Sequence, residues 1–88
     1  MQFVAERFWP GATKNMALAS MAKVRESCET LAASGVPISW LGGTFLAEDE
    51  CLSLRFEGTA QAVQAAHDLA GVPFDRLVES VDVGQAHS

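Results

Sequence analysis

Three side chains stand where an apolar run makes a charge or an imidazole conspicuous: Glu6, Glu79 and His67. Glu6 lies between Val4 and Phe8, and Glu79 between Leu77 and Val81, each in a segment that reads as a strand. A carboxylate on a covered sheet face must find a cation, a metal or a proton, because an unpaired buried charge is costly. Arg55, on the less apolar face of another segment, could meet both carboxylates on the open side of a sheet. That convergence has three readings: a structural salt bridge at a subunit interface, a site for a metal or small ligand, or plain exposure. His67 falls on the flank of a helix, between its core stripe and its wet side, and reads as a surface residue or as an imidazole ligand. Nickel and zinc both favour imidazole. Glu6, Glu79 and His67 are therefore the candidate metal ligands, and Trp40, Arg55, Glu6 and Glu79 the candidate ligand-binding set.

Trp9 and Trp40 are large amphipathic rings on strands, suited to anchoring a core or an interface, or to stacking on a flat organic ligand. His87 adds little, being remote from His67, and a tight His-x-x-x-His spacing is absent. The run Glu48-Asp49-Glu50 lacks the frame of a calcium loop and reads as a solvated hairpin tip. No Ser-His-Asp or Cys-His arrangement, phosphate-cradling glycine loop or dinucleotide fingerprint occurs, and the chain has no tyrosine.

Bulk properties narrow the classes further. The net charge is −5, and the six Lys and Arg are scattered singly. Without a basic stripe, a nucleic-acid backbone or an anionic membrane surface finds nothing to hold. No apolar run reaches the roughly 18 residues of a membrane span, and a signal peptide's layout is missing, so a cytoplasmic protein is expected. Cys28 reads as a buried small hydrophobe and Cys51 as the start of a strand, and both are expected to be reduced. Eighty-eight residues make one domain, here assigned to residues 1–84 with a loose tail at 85–88. A chain this short buries only about 60–65% of its surface, yet 49% of its residues are apolar. An apolar face awaiting a partner subunit explains the surplus.

The elements follow from periodicity and punctuation. Residues 2–9 form a first strand closed by Pro10-Gly11. Thr13 caps a helix whose stripe is Met21, Val24, Cys28 and Leu31, with Met16 and Met21 as core filler, and Gly35 and Pro37 end it. Residues 36–46 form a strand interrupted by Gly42-Gly43, a pair that marks a bulge or a close approach to the backbone. Residues 51–57 alternate cleanly, with Leu52, Leu54 and Phe56 on one face. Thr59 caps a second helix with stripe Val63, Ala66, Leu69 and Ala70, and residues 74–83 form the last strand. Right-handed crossovers fold β-α-β-β-α-β into a ferredoxin-like α+β domain, a four-stranded antiparallel sheet with two helices on one face. Both faces of the first strand, and the Leu77, Val81 and Val83 face of the last, carry apolar residues, so a homodimer is expected to cover the open face, sheet to sheet or by closing a dimeric α/β barrel.

The segments Val4-Ala5-Glu6-Arg7, Trp40-Leu41, and Ala70-Gly71-Val72-Pro73 with Asp75-Arg76 and Val78-Glu79 resemble a family of small bacterial dimeric ferredoxin-like proteins that includes a nickel-binding member. The resemblance covers nearly the whole chain, and its most distinctive piece is the helix exit Ala-Gly-x-Pro-x-Asp-Arg. It implies an α/β dimer with a cavity or a metal site, and nickel as the possible cofactor. This chain departs from the family in placing Cys51 early in its third strand and in its Gly42-Gly43 pair, so no ligand is carried over by motif. Three functions remain. The chain is a small dimeric ligand- or metal-binding protein, a cofactor-independent enzyme of the monooxygenase or isomerase kind in which Trp40 positions a substrate and Glu6 or His67 moves a proton, or a protein-interaction module.

Overall fold

The computed structural model describes residues 1–81. The expected tail at 85–88, His87 and the end of the last strand at Val83 lie outside the described residues. The elements are β1 (Gln2–Phe8), α1 (Lys14–Ala33), β2 (Ile38–Leu46), β3 (Cys51–Gly58), α2 (Ala60–Ala70) and β4 (Arg76–Ser80). Thr13 and Thr59 cap the helices as their spacing predicts: Met16 N donates to Thr13 Oγ1 at 3.2 Å and Ala62 N to Thr59 Oγ1 at 3.1 Å. Gly71 ends α2 in the left-handed region at φ 69°, where a glycine escapes the Cβ penalty.

The strands form one antiparallel sheet in the order β2-β3-β1-β4, and the βαββαβ chain is a ferredoxin-like α+β domain. The sheet is open, with β2 and β4 as its edges, so the barrel expected from sequence is not closed by one chain. Register decides what each face holds, because residues opposite one another in an antiparallel ladder project to the same side. Ala5 pairs with Leu54, and Phe3 with Phe56, on the face that α1 and α2 cover. The core there joins Ala5, Leu52, Leu54 and Phe56 to Ala17, Val24 and Cys28 of α1 and to Ala62, Val63 and Ala66 of α2. The other face carries Val4 opposite Arg55 and Val78, and Glu6 opposite Ser53 and Arg76.

One helix departs from expectation, and one strand meets it. In α2 the buried positions are Ala62, Val63, Ala66 and His67, while Leu69 is 56% exposed. The helix is rolled so that the imidazole, not the leucine, faces the sheet. In β2 the register shifts between Trp40 and Gly42, so the paired glycines serve both of the expected purposes, bulge and close approach. At Gly42, φ is +138°, and a Cβ would lie 2.8 Å from Arg55 Nη2; at Gly43 a Cβ would lie 2.9 Å from Leu54 Cδ2 and 3.0 Å from Met21 Sδ. The missing side chains let Arg55 lie across one face of the strand and Met21 descend onto the other.

Candidate functional site

The residues singled out from sequence do not assemble. Glu6 pairs with Arg76 on the open face, whereas Glu79 pairs with Phe3 and so lies on the helix-covered side. The two carboxylates were expected to converge; strand parity sends them to opposite sides of the sheet. Glu6 is instead held by Arg76, with Nη2 at 2.7 Å and Nε donating at 2.8 Å to the same carboxylate oxygen. Arg55 shares the open face but bonds Thr44, its Nη1 donating to Oγ1 at 3.3 Å. Trp40, opposite Phe56, belongs to the helix side and meets that ring edge-on at 5.7 Å between centroids.

His67 corrects the expectation of a flank residue. It is 2% exposed, packed edge-on between Phe56 at 5.6 Å and Phe74 at 4.8 Å. Its Nδ1 lies 2.8 Å from the Val72 carbonyl oxygen. The carbonyl only accepts, so Nδ1 carries the proton and a neutral ring leaves Nε2 as an acceptor. That Nε2 is buried and has no hydrogen-bond partner among the described residues. Burial pulls the imidazole pKa below its ordinary 6.5, against the opposing effects of the Val72 bond and of Asp68.

A nickel or zinc site was the sharpest expectation, and the donors do not fit it within one chain. Glu6, Glu79 and His67 occupy the open face, the covered face and the interior under α2. Among the described residues no three His, Cys, Asp or Glu side chains cluster closely enough to hold a metal ion.

What the fold does build is a groove between α1 and β2. Its larger section encloses about 540 Å³ between Ala17, Leu18 and Met21 of α1 and Gly43 and Phe45 of β2, with Thr13 and Lys14 at one end. A second section of about 300 Å³ shares Leu18, Met21 and Gly43 and continues to Arg25 and Trp40. A third, of about 280 Å³, carries on past Arg25 and Trp40 to Cys28, Glu29 and Ser39. The first section lies in the size range of small-molecule sites, about 300–1,000 Å³, and has their mainly apolar lining. Its helix wall overlaps the edge of the core stripe: Lys14, Ala17, Leu18, Met21 and Arg25 recur at three and four residues, and Ala17 and Met21 also pack into the core. From the sequence only Met21 has a role, as core, although Leu18, 50% exposed, signals the remaining wall. Trp40 is the one expected ligand-binding residue that reaches the groove.

Comparison with solved structures finds a likeness of architecture alone. A solved structure, that of SCO4226 from Streptomyces coelicolor A3(2), matches with a TM-score of 0.70 at 17% identity, over 91% of this chain and 95% of that one. At that identity the likeness is one of fold. No family model matches the chain, and no curated protein matches its sequence. No helix among the described residues is long and apolar enough to cross a membrane.

Proposed function

We propose that this domain is a small-ligand-binding protein whose ligand seats in the groove between α1 and β2, and that it works as a homodimer joined through the open sheet face. The observation that carries the first part is the 540 Å³ section, an apolar trough with polar groups gathered at one end. Such a trough binds by burial, at roughly 25 cal/mol per Å² of apolar surface removed from water, and its polar end selects orientation. The dimer is supported by Phe8, 61% exposed, Leu46 and Val78 on the face that no helix covers.

Binding is favoured over catalysis because the expected proton carriers are elsewhere: Glu6 projects from the far side of the sheet and His67 does not line the groove. Nickel binding, the finer reading, requires a second copy to complete any donor set, and calorimetric titration of the dimer with nickel and zinc tests it. For the groove itself the test is protein-observed NMR against a library of small organic fragments. Binding fragments are expected to shift the amides of Leu18, Met21, Gly43 and Phe45, and a Leu18→Trp variant is expected to abolish those shifts by filling the trough. Shifts that cluster elsewhere, or that survive the tryptophan, overturn the reading.

A further inference from the structure

We infer that the ligand of this groove is an amphipathic organic anion, its acidic head at Lys14 and its apolar body laid along Leu18, Met21, Gly43 and Phe45. The inference rests on the groove being the binding site and adds to it the chemical class of the occupant. The charge distribution points to it. The chain carries a net charge of −5 with six Lys and Arg, and two of those six, Lys14 and Arg25, line the groove system. Among the described residues no acidic one lines the two sections that share Leu18, Met21 and Gly43; the third section carries Glu29. A strongly acidic domain that sets a lysine, and no described carboxylate, on this apolar trough selects against a cationic guest and in favour of an anionic one.

The two cations are not equivalent. Arg25 Nε lies 3.4 Å from Glu29 Oε2, and Glu26 and Glu29 share a further hollow with it, so its charge is already met. Lys14 has no ion-pair partner among the described residues, and the first turn of α1 holds no acidic side chain to neutralise it. The head therefore belongs at the Lys14 end. The trough beyond is walled by aliphatic, thioether and aromatic carbon from Ala17, Leu18, Met21 and Phe45, with the bare backbone of Gly43 as part of its floor. An ammonium at the rim of an apolar slot suits a carboxylate on a hydrocarbon or aryl body, because the head stays partly wet while the body is buried.

The test compares octanoate with 1-octanol, which share a chain length and differ in charge, by NMR titration of the wild type and of Lys14→Gln, Arg25→Gln and Leu18→Trp. Octanoate is expected to bind more tightly than octanol and to shift Leu18, Met21, Gly43 and Phe45. Lys14→Gln is expected to weaken octanoate by about fivefold, the scale of one exposed ion pair, and to leave octanol unchanged. Arg25→Gln is expected to do less. Equal binding of both probes, or equal weakening of both by Lys14→Gln, overturns the anion and leaves the groove standing. If neither probe shifts the groove amides, or if Leu18→Trp changes nothing, the groove and the anion fall together.

Discussion

His67 is a buried imidazole with one nitrogen satisfied by Val72 and the other buried without a hydrogen-bond partner among the described residues. A proton on Nε2 would place a charge between Phe56 and Phe74, so the folded state resists protonation and the unfolded chain does not. The folded pKa is depressed below 6.5, and the unfolded state therefore binds more protons between the two values. Stability is complete above pH 6.5 and is lost as the pH falls from there toward the folded value, with a steepest slope of about 1.4 kcal/mol per pH unit. Urea denaturation between pH 7.5 and 5.5 should show that decline in the wild type and a nearly flat profile in His67→Phe. An equal decline in both would assign the titration to another group. The Cys28 thiol is pushed up to about 11, first by burial and then by Glu29, so it should resist Ellman's reagent at pH 8 until the protein is denatured. The burial of Cys28 is legible from its place on the helix stripe, and that of His67 is not. His67 lies one position past Ala66 on α2, and a roll of a few tens of degrees about the helix axis exchanges it with Leu69.

At the level of elements, the sequence carried most of the fold and little of the site. Threonine caps, Gly-Val-Pro exits and strict alternation in β3 are local signals, and each is found where its spacing predicts. The failed convergence of Glu6 and Glu79 had another origin: each strand's alternation was legible, but the register between strands is a tertiary quantity. A one-residue slip exchanges the faces of a whole strand. The bulge after Trp40 has the same character, since glycines mark the place without saying which neighbour will use the space. Two glycines now give contrasting predictions. A Cβ at Gly58 would fall 2.2 Å from the Pro37 carbonyl oxygen, at φ +149°, and backbone cannot yield as a side chain does. Gly58→Ala should cost about 3 kcal/mol or more. Gly43→Ala meets only the movable ends of Leu54 and Met21, and should cost about 1 kcal/mol while narrowing the groove. Thermal denaturation of the two variants ranks them directly, and the reverse order would contradict the contacts described above.

For the molecule as a whole, the two faces of the sheet differ in what they carry. The groove and the core share one side, and the other is a surface of Val4, Phe8, Leu46, Cys51 and Val78 around the Glu6–Arg76 pair. That mixture suits a self-complementary contact, in which each copy offers apolar residues at the centre and charges that can pair across the two-fold axis. Val78 is the place to test it, being 38% exposed and directly opposite Val4 on the open face. A lysine there stays solvated in a lone chain and leaves the fold intact, whereas in a sheet-to-sheet dimer it meets its own copy or an apolar surface without a counter-charge. Sedimentation equilibrium should find the wild type dimeric at tens of micromolar, and Val78→Lys should weaken association at least tenfold, equivalent to about 1.4 kcal/mol. Because Lys14 and Leu18 lie on the opposite side of the sheet, the same variant should bind octanoate as the wild type does. A wild type that stays monomeric leaves the open face to some other partner. A lysine variant that loses octanoate along with the dimer would mean that the groove is completed by the second copy.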